Sequence, residues 1–236
     1  MKLYQMTHAE TGITYRLIYI DIEQKIDGHL FMFGLDRGTG YERFLVDKNL
    51  HLAAERYGAV NIDEPDILGE IFQNEGPVMI VGYTTTELEW INSLASRYGF
   101  SIPACTMYMD AKKGAQKWAA TERRGELRNL PPLLVTHDRR NRPSIRSLVS
   151  IARLIGINPP LDYVYGITTK RFNNAATKLS TGGSFEKLTR VSKAKLTKAM
   201  KHNQFDVETM VQLVGVVYQQ KKGALLNAAQ GPFAGA

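Results

Sequence analysis

Tyr15-Arg-Leu-Ile-Tyr-Ile-Asp-Ile-Glu23 is a run of apolar and β-branched residues closed by two carboxylates. Flanked by Gly12 and by the polar segment 25–28, it reads as a buried central strand. Asp21 and Glu23 are two residues apart, so in a strand both side chains project to one face. Two acids on one face of a buried strand repel each other and lose hydration, and the common reason to keep them is a divalent cation. The same letters also fit a strand that ends at Ile20, with both acids in solvent, so further acids elsewhere in the chain decide between the two.

Working outward, residues 29–35 and 42–46 are two more strand candidates. Between them Asp36-Arg-Gly-Thr-Gly40 is a glycine-rich hairpin turn, which makes an antiparallel meander of three strands. Asp63-Glu-Pro-Asp66 opens a helix through residue 73, with a proline in its first turn and acids at its positive end. Residues 77–82 form a short apolar strand parallel to the first. Thr84, Thr85 and Thr86 then offer capping hydroxyls to a helix over 87–98. At about 100° per residue, Leu88, Ile91, Leu94, Ala95 and Tyr98 share a face, with Glu87 at its edge and Glu89 pointing away. Glu87 is therefore an inward acid at a helix start, or a simple partner of the helix dipole.

A strand over 101–110 ends in Asp110, and residues 112–128 make a basic helix containing Trp118. Asn129-Leu-Pro-Pro132 breaks it, residues 137–143 form a basic loop, and 144–156 a capped helix with a glycine stop. From Asn158 to Gly183 the chain reads as irregular or short-helical. Final helices cover 184–220, where Val207, Met210, Val211, Val214, Val217 and Tyr218 make an apolar stripe. His202 and Asp206 lie four apart on one helical face. The expected organisation is one α/β domain over residues 1–220 and a flexible tail over 221–236.

Charge is divided between the halves of the chain. Residues 1–111 carry 8 Lys/Arg against 16 Asp/Glu, and residues 112–236 carry 22 against 7. That division suits a protein holding metal with its first half and a polyanion with its second; a solvated basic face is the plainer reading. Cys105 is the single cysteine, which excludes an internal disulfide and a thiolate zinc cluster. No apolar run approaches the roughly 20 residues that cross a bilayer, and no signal-peptide core is present, so a cytoplasmic protein without membrane contact is expected. No glycine-rich nucleotide-binding fingerprint occurs.

Four stretches together resemble a known family: Tyr19-Ile-Asp-Ile-Glu23, Val81-Gly-Tyr-Thr-Thr-Thr-Glu87, Ser147-Leu-Val-Ser-Ile-Ala-Arg-Leu-Ile-Gly156 and His202-Asn-Gln-Phe-Asp-Val207. In this order they are similar to the ribonuclease-H-like 3′–5′ exonucleases of the DEDD type, in the compact branch related to the proofreading domain of family B polymerases. The resemblance spans residues 15–220 and implies a ribonuclease-H-like mixed sheet, three antiparallel strands followed by parallel ones, flanked by helices. It implies two Mg²⁺ or Mn²⁺ ions, held by Asp21, Glu23, Glu87 and Asp206, and hydrolysis of single-stranded nucleic acid, DNA slightly ahead of RNA, with Asp21 and Glu23 also counted among the catalytic groups. His202 falls where the family places a Tyr or His that orients the attacking water, and is expected to act as general base. Glu87 stands where an Asp is usual, and Asp110 is a rival for that position. Clustered carboxylates suit hard cations, and two such ions clamp the attacking and leaving oxygens of a phosphodiester.

Lys112, Lys113, Lys117, Arg139, Arg140, Arg142, Lys170 and Arg171 are the expected phosphate contacts, within basic segments 112–153 and 170–201. Trp118, Tyr163, Tyr165 and Phe172 are either base-stacking or core residues. A helicase or polymerase is a candidate partner. The main alternatives are a degenerate ribonuclease-H-like module that binds nucleic acid without cutting it, and an endonuclease or junction resolvase on the same fold.

Overall fold

The computed structural model describes residues 2–8, 11–73, 76–131, 147–160, 167–226 and 229–230. Arg139, Arg140, Arg142, Tyr163, Tyr165 and the start of the helix expected from 144 lie outside the described residues. The strands are β1 (Gln5–Thr7), β2 (Thr14–Gln24), β3 (Leu30–Asp36), β4 (Tyr41–Leu45), β5 (Val60–Asn61), β6 (Val78–Gly82), β7 (Thr106–Asp110) and β8 (Ala229–Gln230). The α-helices are α1 (Ala54–Tyr57), α2 (Ile67–Ile71), α3 (Thr86–Tyr98), α4 (Ala111–Glu122), α5 (Arg124–Asn129), α6 (Leu148–Leu154), α7 (Thr168–Gly182) and α8 (Arg190–Leu226). Together the strands form one mixed sheet in the order β5-β4-β3-β2-β6-β7-β8, so the fold is α/β.

β2 is central, as its apolar run requires. It pairs antiparallel with β3 from Tyr19 onward and parallel with β6 over Arg16 to Tyr19. β1 takes the edge that β3 leaves open, pairing antiparallel over Thr14, Tyr15 and Arg16. The three-residue β1 carries no apolar period, which is why the sequence reading misses it. The meander β2-β3-β4 and the parallel β6 match expectation. β7 is shorter than the expected 101–110: Pro103 lacks an amide hydrogen, and its carbonyl accepts from the Thr106 amide in a turn.

The period-two alternation of the strands divides the core. Leu17, Tyr19, Met79, Val81 and Met109 face one layer, where Ala115, Trp118, Ile151, Val207, Met210 and Val214 bring in α4, α6 and α8. Ile18, Ile20, Ile80 and Tyr108 face the other, against Ile67, Leu68 and Ile71 of α2 and Trp90, Ile91 and Leu94 of α3. A third cluster joins Phe31, Leu45 and Leu50 to Phe172, Leu179, Leu196 and Met200, packing α7 and the first turns of α8 beside β3 and β4.

Two expectations are corrected here, and one alternative is decided in favour of the core. Segment 158–183, read as irregular or short-helical, contains the fifteen-residue α7, whose Phe172, Ala175, Ala176 and Leu179 are buried at helical spacing. Its small and polar residues hide that period. The closing helix does not end at Gln220: α8 runs 37 residues to Leu226, and β8 pairs with the edge of β7, while 227–228 and 231–236 of the expected tail lie outside the described residues. Trp118 and Phe172 are fully buried; Trp118 Nε1 donates to Gln220 Oε1 at 2.9 Å and Phe172 stacks on Phe31, so neither presents a face to a base. Among the described residues, no helix is long and apolar enough to cross a membrane.

Candidate functional site

Asp21 and Glu23 continue the odd-numbered face of β2, beyond Leu17 and Tyr19, and so lie on the side covered by α8. Directly across from Asp21 on β3 is Gly34. A side chain there would block α8, because a Cβ on Gly34 would lie 2.1 Å from Asn203 Oδ1 and 2.5 Å from Tyr41 Cε2. The missing side chain lets α8 sink onto the sheet at this point. Asn203, fully buried, then donates from Nδ2 to the Asp21 carbonyl at 3.1 Å and to Asp21 Oδ2 at 2.6 Å. Its Oδ1 accepts from the Tyr41 hydroxyl at 2.8 Å. Burial raises the Tyr41 phenol, which keeps it protonated as the donor. Arg43 packs 5.2 Å from the Tyr41 ring centre and donates to Gln204 Oε1 at 3.3 Å, closing the network from the outside. Replacing Gly34 by Ala is expected to destabilise the protein by about 1–3 kcal/mol, the usual range for forcing atoms into a packed core. Chemical denaturation measures this, and an unchanged midpoint would mean α8 does not approach the sheet so closely.

The closing helix contributes more than Asn203. His202 is 7% exposed, and its Nε2 lies 3.3 Å from Asp206 Oδ2, one helical turn on. Asp206 in turn acts on both first-strand acids. Burial pushes Asp21 well above the usual carboxylate range, and Asp206, Glu23 and Glu87 push it the same way, against the Asn203 hydrogen bond. Glu23 is raised by burial and by Asp206. Both retain some contact with solvent while being densely surrounded by protein.

Glu87 arrives from the opposite layer. It is 5% exposed whereas Glu89 is exposed, as the helical angle requires. No threonine hydroxyl caps α3 at Thr85, contrary to expectation. Instead Glu87 Oε2 turns back to accept from the Thr84 amide at 3.3 Å, the Thr84 hydroxyl at 3.2 Å and the Tyr108 hydroxyl at 3.2 Å. Gly82 makes room for this, since a Cβ there would meet Glu87 Oε2 at 2.8 Å. Burial raises Glu87, and these donors oppose the rise. The rival Asp110 has a structural occupation: its Oδ1 accepts from the Lys113 amide at 3.0 Å and caps α4.

The structure thus brings Asp21, Glu23, Glu87 and Asp206 into one electrostatic cluster, with His202 on Asp206. Each of Asp21, Glu87 and Asp206 has a protein partner, Asn203, the Thr84–Tyr108 group and His202 respectively. Among the described residues, no three or more His, Cys, Asp or Glu side chains form a set that could hold a metal ion as they stand. The donor chemistry still fits a hard divalent cation: all four ligand candidates offer oxygen, and their crowded charge, which lifts Asp21 and Glu23, is what a cation would offset. Asn203, Tyr41 and Gly34 are the residues that sequence reasoning missed. Asn203 lies inside the quoted His202–Val207 stretch, and its angle, about 100° from His202 toward the apolar stripe, was the available signal.

Of the expected phosphate contacts, Lys113, Lys117 and Lys170 are exposed, Lys112 is half-buried, and Arg171 is buried. Lys113 Nζ also lies 3.8 Å from Asp110 Oδ2. No family model matches the chain, and none of the curated proteins is a match for it.

Proposed function

We propose that this chain is a cytoplasmic, divalent-metal-dependent nuclease of ribonuclease-H-like fold that shortens single-stranded nucleic acid from the 3′ end. One observation carries the reading: carboxylates from β2, α3 and α8 (Glu23, Glu87 and Asp206), the last 185 residues beyond Asp21, all bear on the buried Asp21. The strand order β4-β3-β2-β6-β7, with an antiparallel meander followed by parallel strands, supports the fold assignment. The resemblance of the four quoted stretches supplies the polarity.

In this reading Asp21, Glu23, Glu87 and Asp206 hold Mg²⁺ or Mn²⁺, which supplies charge neutralisation at the phosphodiester and lowers the pKa of water. To do so, Glu87 and Asp206 would turn from the Thr84–Tyr108 group and from His202, while Asp21 keeps its bond to Asn203. Once Asp206 has turned from it, His202 Nε2 takes the proton of the attacking water. Asn203 fixes the carboxylate plane of Asp21 from behind, so that Asp21 presents its free edge to the site. Replacing His202 by Ala is expected to lower kcat by about 10²–10⁴, read from single-turnover hydrolysis. A rate within twofold of the native protein would remove His202 from the mechanism.

The direct test is a 5′-labelled oligonucleotide incubated with Mn²⁺, where stepwise shortening from the 3′ end is expected and a circular strand stays intact. Cutting of the circle would favour an endonuclease. A second reading, binding without turnover, is favoured by the three donors on Glu87 Oε2, which give that carboxylate a structural role. Retention of the labelled strand, with no shortening at any Mn²⁺ concentration, would select it.

A further inference from the structure

The charge around the site is unevenly placed. From residue 163 to residue 205 the sequence holds nine Lys/Arg and a single acid, Glu186. The lead into α8 is the densest part: Lys187, Arg190, Lys193, Lys195, Lys198 and Lys201 occur with no Asp or Glu before Asp206. Two of the nine bases are held close to the fold. Lys193 Nζ donates to the Glu186 carbonyl at 2.9 Å and packs on Phe185, and on α7 Lys178 donates to Ser192 Oγ at 2.7 Å.

Lys195, Lys198 and Lys201 follow on the same helix. All three are exposed, while Leu196, Ala199, Met200 and Asn203 between and beyond them are buried against the sheet and α7. Spaced by three, they form one ridge on the outer side of the helix. Lys195 and Lys198 precede His202 by seven and four residues, so they stand two turns and one turn upstream on its own face. Lys195 and Lys198 therefore lead along a single helix toward His202 and Asp206, over about 10 Å at 1.5 Å per residue, with Lys201 on the outer flank of the ridge.

We infer that this lysine ridge on α8 is the track on which the phosphodiester backbone of a single strand lies as it enters the acidic site. This inference deepens the nuclease reading by naming the path. It narrows the two basic segments expected to carry phosphate contacts, 112–153 and 170–201, to three residues at the end of the second. A cation ridge is what a polyanion needs to approach four carboxylates, since the lysines offset the repulsion between them and the backbone. An acidic membrane is a poorer occupant. Among the described residues Val191 is the only large exposed hydrophobic on α8, and the others, such as Ile13, Ile26 and Leu52, are scattered. Phosphate contacts carry no base or sugar selectivity, so DNA and RNA are held alike on the ridge.

Binding is measured without turnover, in EDTA, by fluorescence anisotropy of labelled dT20 and U20 across a salt series. The triple variant Lys195→Gln, Lys198→Gln, Lys201→Gln is expected to bind both at least about tenfold more weakly at low salt. Its slope of log K against log salt should shrink by about 2, at roughly 0.7 per phosphate for single strands. A charge-matched control, Lys2→Gln, Lys48→Gln, Arg97→Gln, and the charge-keeping variant Lys195→Arg, Lys198→Arg, Lys201→Arg should both bind as the native chain does. A native salt slope in the glutamine triple overturns the ridge, as does an equal loss in the control or in the arginine triple. Absence of oligonucleotide binding by the native protein, or binding to phosphatidylserine vesicles in its place, overturns it as well. Since no cleavage is involved, a ridge that binds on a chain that never cuts leaves this inference standing and defeats the nuclease reading alone.

Discussion

Asp21→Asn is expected to lower metal-dependent hydrolysis by on the order of 10⁴, the scale seen when an essential member of a catalytic set is removed, while making the folded protein more stable. Both effects come from one cause. Asp21 sits where burial, Asp206, Glu23 and Glu87 all oppose its charge. An amide of the same shape carries no charge to desolvate or repel, and its oxygen still accepts from Asn203 Nδ2. Tm should rise by about 2–4 °C for each kcal/mol of repulsion relieved in a chain of this size. Activity lost with Tm unchanged or lowered would mean that the cluster is not strained by its own charge.

The same strain gives the metal-free protein a defined pH response. The native pKa of Asp21 and that of Glu23 lie above their unfolded values, so the native state binds more protons in between. Stability is then fully present below the ordinary carboxylate pKa and is lost as pH rises through the raised native values. Thermal unfolding in EDTA should therefore give a higher Tm at about pH 5 than at about pH 8, with a smaller difference in Asp21→Asn. Mn²⁺ should reduce the difference too, by compensating the charge. A Tm that climbs steadily with pH in EDTA would contradict the assigned directions.

The second large effect is expected at Asn203, through Asn203→Asp. The native amide links two acceptors on Asp21 to a donor on Tyr41 and is fully buried. An aspartate places a second negative charge against Asp21 and removes the donor from its carboxylate. Burying an uncompensated charge costs about 3–5 kcal/mol. The loss should shrink at low pH, where a protonated carboxyl again donates to Asp21. Equilibrium denaturation at the two pH values measures this, and a variant as stable as the native protein at high pH would show that Asn203 does not face Asp21. Asn203→Leu separates shape from hydrogen bonding, since it leaves the Tyr41 hydroxyl and the Asp21 carbonyl without Asn203 as a partner but adds no charge.

Much of the site could be read in the sequence because it obeys simple periods. The two-residue spacing put Asp21 and Glu23 on one face of β2, and the helical angle turned Glu87 inward and Glu89 outward, as the burial of each shows. The four-residue spacing placed His202 on Asp206. What stayed hidden has no period. Asn203 is a polar residue on a buried helix face, and only the approach of α8 over Gly34 gives it a partner. β1 and β8 are three and two residues long and exist through pairing with β2 and β7, which no local signal encodes. The Glu87 loop was misread for a related reason: three threonines suggested a hydroxyl cap, whereas a carboxylate and Tyr108 close the turn.

Diffraction from crystals soaked in Mn²⁺ tests the central claim most directly, through the anomalous signal of the metal itself. The account predicts peaks bounded by Asp21, Glu23, Glu87 and Asp206, with Asp206 turned away from His202 and Asp21 still tied to Asn203. Anomalous peaks elsewhere on the protein, with Asp206 still on His202 and Glu87 still on Thr84 and Tyr108, would contradict it.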